Sequence, residues 1–304
     1  MNNLFSRILD SDIWFSFKQR PFVIAAAITV FVCVFCAAFA PFVAPHNPFD
    51  LKTLDLSNAF TSPAWTANGK ASFFLGTDDQ GRDLLSAIMF GSRTSIIVAV
   101  VAVMLSMTIG ISLGLLSGYL GGKLDAFIMR VADVQLSFPA ILIALLIDGV
   151  ARAVMPKGSH DSVAVLVLIF AIALSGWVQY ARTVRGSTLV ERNKEYVQAA
   201  RVIGRHPIAI MFTHVLPNVL GPVLVLATLQ VGSAILIEGT LSYLGVGVPP
   251  TQPSLGTLIR VGNDFLFSGE WWITVFPGVA LVMLVLAINV VGDWLRDVMN
   301  PKLN

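Results

Sequence analysis

Three acids stand close together at Asp78, Asp79 and Asp83, in a polar stretch reading FLGTDDQGRDLLSAIMFGSRTS. A catalytic role for them requires a partner base or a metal, and the sequence offers neither. Cys33 and Cys36 form a CxxC, but inside an apolar run that zinc or a redox partner does not easily reach. They read as two buried free thiols on one helical face. The four histidines, His46, His160, His206 and His214, lie far apart and make no metal-ligand cluster. Gly69-Lys70 and Gly122-Lys123 both lack the upstream glycine and the following Ser/Thr of a Walker A loop. No serine nucleophile motif, HExxH pair or dinucleotide fingerprint occurs. The residues therefore imply no catalytic group, no metal and no cofactor held by this chain. If the protein moves something uphill, a partner or an ion gradient must supply the energy.

A second set of polar residues sits in or beside long apolar runs: Asp133, Ser137, Asp148, Gln230 and Glu238. Ionisable groups at membrane depth are costly and tend to mark a transport path. These five are the candidates for a translocation pathway, with helix capping or helix packing as the alternative role for each.

The elements that must position them follow from composition. The chain has 304 residues, of which 56% are hydrophobic and 12% charged, and its mean hydropathy is +0.78. Soluble domains carry about 25% charged residues, so this is an integral membrane protein, and the net charge of +2 gives nucleic-acid binding no support. Pro21–Pro45 and Thr94–Gly122 are free of charge for 25 and 29 residues, more than the roughly 20 needed to span the hydrocarbon. The first run is too long for a signal-peptide core and reads as a retained span, although Ala38–Ala40 resembles a cleavage site. Arg82–Phe90 reads as a separate amphipathic helix on the membrane surface, capped by Thr77 or Asp78. Gly110, Gly114 and Gly118 recur every four residues in the second span, a face that lets another helix backbone approach closely.

The third span is weak. Only 14 residues separate Asp133 from Asp148, and Ser137 and Pro139 interrupt them. Ser162–Ala181 is a fourth span, Asn218–Ile237 a fifth and Trp271–Gly292 a sixth, with Trp271 and Trp272 suited to the interface belt. The Gly- and Pro-rich connection after Glu238 reads as bent or re-entrant. The fold class is thus all-α, a polytopic bundle of six spans. With both termini on one side, 13 basic residues fall there against 7 on the other. The positive-inside rule puts the termini and the central polar stretch in the cytosol.

That central stretch, 182–217, carries six basic residues (Arg182, Arg185, Arg192, Lys194, Arg201, Arg205) and two acids (Glu191, Glu195) before His206. Asn193 is a plausible N-cap, and Glu195 complements the helix dipole. Tyr196, Ala199, Ala200 and Ile203 fall on one face, with Lys194, Gln198 and Arg201 opposite. Gly204 suits a left-handed stop, and Pro207 the first turn of the next helix. A helix of about 10 residues would be about 15 Å long, enough to lie in a groove of a cytosolic protein.

QAARVIG followed by HVLP resembles the EAA loop of ABC-transporter permeases. The matching positions are Gln198, Ala199, Ala200 and Gly204, then His214, Leu216 and Pro217. Gln198 stands where the motif has Glu, and His214 where it has Ile. LGTDDQGRD…GSRTS, RVADVQLSFPAIL, EGTLSYLGVGVPPTQPSLG and NVVGDWLRDVMNP further resemble the peptide/nickel importer permeases, in particular the C-type subunit of dipeptide and oligopeptide permeases. The resemblance implies a type I importer permease fold over residues 71–304, after an N-terminal segment and first span in 1–70. It implies that Glu195, Tyr196, Gln198, Ala199, Ala200, Arg201, Gly204, Leu216 and Pro217 belong to a coupling helix that sits in a cleft of an ATPase. It also implies a homologous second permease, two ATP-binding subunits that hold ATP and Mg, a periplasmic substrate-binding protein and a bacterial inner membrane location amid lipid. Nickel rather than peptide import is the alternative within the family, and a stand-alone secondary transporter, with inverted repeats and a buried ion path, the alternative outside it.

Overall fold

The computed structural model describes residues 12–50, 54–154, 160–249 and 252–299. Of the basic residues counted above, Arg7, Lys52, Lys157 and Lys302 lie outside them. Helix α1 (Asp12–Lys18) leads into α2 (Pro21–Ala38), whose Pro21 fills the first turn where a missing N–H costs nothing. The two cysteines of α2 are free, but half-buried rather than buried.

Helix α3 (Leu84–Leu120) is one uninterrupted helix of 37 residues. The separate surface helix at Arg82–Phe90 does not exist, and neither Thr77 nor Asp78 is the cap. Asp83 caps α3, accepting from the Ser86 amide at 3.0 Å and its hydroxyl at 2.5 Å. Gly91 does not break the helix; its bare Cα lets the backbone at Ser254 and Leu255 pack against it. Asp78 does structural work instead. Buried at 1% exposure, it accepts from the Arg82 amide at 2.9 Å and from Arg82 Nε at 2.6 Å, closing the DDQGR turn. Burial and the neighbouring Asp78 raise the Asp79 carboxyl above the usual range. A raised folded-state value means the stability it confers is present in acid and is lost as pH rises through that value. Asp79→Asn should therefore raise the melting temperature at pH 7 and leave it unchanged near pH 3. Melts at the two pH values check this.

Helices α4 (Gly122–Leu136) and α5 (Ala140–Val154) meet at 94°, so the third span is broken where Ser137 and Pro139 predict. Pro139 has no N–H to continue the ladder, and the Ser137 hydroxyl turns back to the Asp133 carbonyl at 3.1 Å. Helix α6 (His160–Glu191) carries the fourth span ten residues further than the hydrophobicity indicates. A short helix α7 (Glu195–Val202) follows. One α turn, Pro207–Ile210, and a π segment, Met211–Val215, then run without a break into α8 (Leu216–Tyr243). Leu216 and Pro217 therefore lie within the fifth span, not in a loop. Beyond α8 lie α9 (Leu255–Asn263), which packs against α8 and α10, and α10 itself (Trp272–Val298). Trp272 is not an interface residue. It is 7% exposed and donates from Nε1 to the Thr77 carbonyl at 3.1 Å.

Among the described residues five helices are long and apolar enough to cross a membrane, and the bent α4–α5 pair supplies a sixth span. The core is the α3–α6 pair wrapped by α8. The Gly110, Gly114, Gly118 face meets α6 so closely that a Cβ on Gly110 would lie 2.3 Å from Tyr180 Cβ. The first and last described helices are tied together: Arg20 pairs with Asp297 at 3.0 Å, and Phe17 packs edge-on to Trp294.

Candidate functional site

The short helix α7 stands between the ends of α6 and α8, on the side of the bundle where α2 begins and α10 ends. Its entry is set by α6. Glu191, 7% exposed, accepts from the Tyr196 hydroxyl and pairs with Lys194 Nζ at 2.9 Å. Lys194, not Asn193, occupies the N-cap position, and no side chain caps it. Asn193 is turned away, its amide donating to the Leu189 carbonyl at 3.1 Å. The helix is eight residues long, about 12 Å.

Its exit is a complete Schellman turn. Gly204 has φ +77°, its N–H donates to the Arg201 carbonyl, and the Arg205 N–H reaches back to Ala200. Pro207 then opens the next turn, as its fixed φ suits.

Side-chain contacts fix α7 to three other elements. Asn218 at the start of α8 donates to Tyr196 Oη at 3.1 Å, and the His214 ring stacks on Tyr196 with centroids 6.4 Å apart. Burial first, and then the Glu191 carboxylate, push the Tyr196 phenol up to about 12, so it remains a neutral donor. Arg201 lies 4.9 Å over the Tyr119 ring at the end of α3. Arg192 donates to the Gly118 carbonyl at 2.8 Å. α7 and the residues flanking it are thereby in contact with α3, α6 and α8 together. Tyr119 was not singled out by sequence, and Glu191 and Arg192 only as charges of the central stretch, with no partner assigned. They lie outside the pattern of spacings, and only their three-dimensional convergence marks them.

The exposed apolar face is the one the spacing predicts, except at Ala200. Val197 and Ala200 are buried against the protein itself, whereas Tyr196, Ala199, Val202 and Ile203 face outward, the last two 87% and 75% exposed. An α7 of two faces results: one locked to the bundle, the other an apolar patch with no cover among the described residues. Gln198 donates its amide to the Asn193 carbonyl at 2.9 Å, a bond a carboxylate cannot make. Gln198→Glu should lower stability by about 1 kcal/mol or less, since the group is exposed. A melt comparing Q198E with wild type checks it.

The five pathway candidates do not converge on one point. Asp133 pairs with Arg182 at 2.5 Å on an exposed surface, beside Ser137. Asp148 is 6% exposed and pairs with Arg152 at 2.5 Å. Glu238 is enclosed where α8 meets α9, accepting from the Ser242 hydroxyl at 2.7 Å. Gln230 donates to Gln179 Oε1 at 2.8 Å, across α8 and α6.

The family model for "binding-protein-dependent transport system inner membrane component" matches residues 110–304, and that for the "N-terminal TM domain of oligopeptide transport permease C" matches 11–63. The chain is 39% identical over 293 residues to the dipeptide transport system permease protein DppC of Escherichia coli, covering 96% of this chain and 93% of that one. To the di/tripeptide permease DppC of Pseudomonas aeruginosa it is 37% identical, covering 96% and 92%. To the oligopeptide permease OppC of Bacillus subtilis it is 35% identical, covering 96% and 89%. A solved chain of the MetNI methionine ABC transporter in inward-facing conformations shares the fold, with a TM-score of 0.54 at 19% identity over 71% of this chain and 96% of that one. The broken third span, the short helix between the fourth and fifth, and these matches agree: the chain belongs to the family of binding-protein-dependent transport system inner membrane components.

Proposed function

We propose that the chain forms one half of the membrane channel of an importer of dipeptides or oligopeptides, with a homologous second permease as the other half. The observation that carries the substrate class is the near full-length match, at 35–39% identity, to relatives named for peptide transport. Those names favour peptides over nickel. Two ATP-binding subunits, holding ATP and Mg, dock on the outward face of α7, and a periplasmic protein delivers the substrate. The exposed Ala199, Val202 and Ile203 support the docking face. The excess of basic residues on the side of α7 and the chain ends supports a cytosolic orientation for it.

Reconstitution of the four-subunit complex in proteoliposomes tests the reading. With loaded binding protein present, a labelled tripeptide should accumulate only when ATP is supplied on the α7 side. Uptake of nickel but not peptide, or uptake driven by an ion gradient without ATP, would refute it.

A further inference from the structure

Gln179 and Gln230 are primary amides at membrane depth. Gln179 lies sixteen residues past Val163, about 24 Å along α6 and so within a hydrocarbon layer of about 30 Å. Gln179 is exposed, and Gln230 is half-exposed. Neither amide is stable against lipid, where each ungratified donor or acceptor costs heavily. Their mutual bond uses one donor and one acceptor, leaving the Gln179 N–H₂ and the Gln230 carbonyl oxygen for another partner.

Voids flank the pair on both sides. One turn toward α7 lie Thr183 and Leu226, which line a cavity of about 690 Å³ that also reaches Arg296. One turn the other way lie Ser175 and Ala234, which line a second cavity of about 30 Å³ together with Ser106, Tyr180 and Gln230 itself. The Tyr180 hydroxyl is fully buried and has no hydrogen-bond partner among the described residues. A space of that size holds one or two waters. The amide pair therefore lies between a wide cavity bordered by α6, α8 and α10 and a small one bordered by α3, α6 and α8, whose mostly apolar lining carries the Ser106, Ser175, Ser233 and Tyr180 hydroxyls.

We propose that the Gln179–Gln230 pair is the constriction of a water-lined path, where the backbone of a passing peptide takes over the amides' hydrogen bonds. This rests on the peptide reading above. A glutamine amide presents the same donor and acceptor as a peptide unit, so the exchange is matched bond for bond and ignores the peptide's side chains. Such a point suits an importer that must pass many sequences through one channel.

The test uses the reconstituted complex with Cys33→Ala and Cys36→Ala in this chain. Gln230→Cys should react with a membrane-impermeant, water-soluble thiol reagent, and a transported tripeptide should slow the reaction. Phe31→Cys, on the exposed apolar face of α2, should not react. Gln179→Leu with Gln230→Leu should cut tripeptide uptake about tenfold, the loss of one or two hydrogen bonds, while ATP hydrolysis stimulated by loaded binding protein stays at wild-type level. A Gln230→Cys thiol that never reacts, or reacts without peptide protection, overturns the proposal while the peptide reading stands. If Gln230→Cys does not accumulate, Gln179→Cys is read in the same way. A wild-type complex that takes up no peptide overturns both.

Discussion

Gly114→Leu should prevent the chain from accumulating as a folded protein, and Gly114→Ala should destabilise it by about 1–3 kcal/mol, the usual cost of overpacking. A Cβ at this position would lie 2.5 Å from the Ala181 carbonyl oxygen and 3.0 Å from Ala181 Cα. Backbone, unlike a flexible side chain, does not swing aside, so α3 and α6 must separate along the whole seam. Gly110 and Gly118 are equally close to α6, which leaves no hinge about which the pair could pivot to make room. Gly186→Ala is the control: it lies on the same α6 with nothing within 4 Å of an added Cβ. Detergent-solubilised protein followed by fluorescence size exclusion during heating gives both values. A Gly114→Leu variant as stable as Gly186→Ala would show that the seam does not hold the bundle.

Ala199→Trp should lower both peptide uptake and stimulated ATP hydrolysis at least about tenfold, the scale of a blocked hot-spot contact, without changing the melting temperature. Ala199 faces outward, so a large side chain there meets only a docking partner. Ala200, one residue on, is 4% exposed; bulk at that position disturbs the fold and cannot separate docking from stability. Gly204→Val acts differently again. No atom lies within 4 Å of an added Cβ, so the cost is that of holding a β-branched residue at φ +77°, about 1–3 kcal/mol. It should uncouple by unwinding the Schellman turn. If Ala199→Trp transports and hydrolyses normally, α7 is not where the ATPase binds.

Much of this was legible because apolar run length and glycine spacing are direct records of a bilayer and of a backbone contact. The Gly110–Gly118 face and the break at Ser137–Pro139 follow from them. Hydropathy does not report where a helix ends once it leaves the hydrocarbon. Hence α3 begins at Leu84, α6 continues to Glu191, and the fifth span reaches back through Leu216 to Pro207. On α7 the spacing places Tyr196, Ala199 and Ile203 on the exposed face and misplaces only Ala200, because a short helix with apolar residues on two sides does not say which side its own protein claims. Val197 is buried while the Tyr196 hydroxyl is held between Glu191, five residues back, and Asn218, 22 residues on, and the spacing within α7 does not report those contacts. Gln179 went unnoticed although it is the sole amide in Ser162–Ala181; its partner across the groove gives it meaning.

The π segment Met211–Val215 has a consequence for the phase of the machine. The Leu216 N–H reaches five residues back to the Met211 carbonyl, which places one extra residue in the helical path between α7 and α8. Pro217, with no N–H for Thr213, fits that slipped register. Deleting a single residue from 211–215 would remove that extra residue and restore ordinary α-helical pitch with α7 kept in phase, whereas a deletion in the regular helix beyond Pro217 would turn everything before it by about 100° and draw it in by about 1.5 Å. Only the second deletion would point the outward patch of α7 a quarter-turn away from its partner, in a chain whose composition and hydrophobicity are otherwise unchanged.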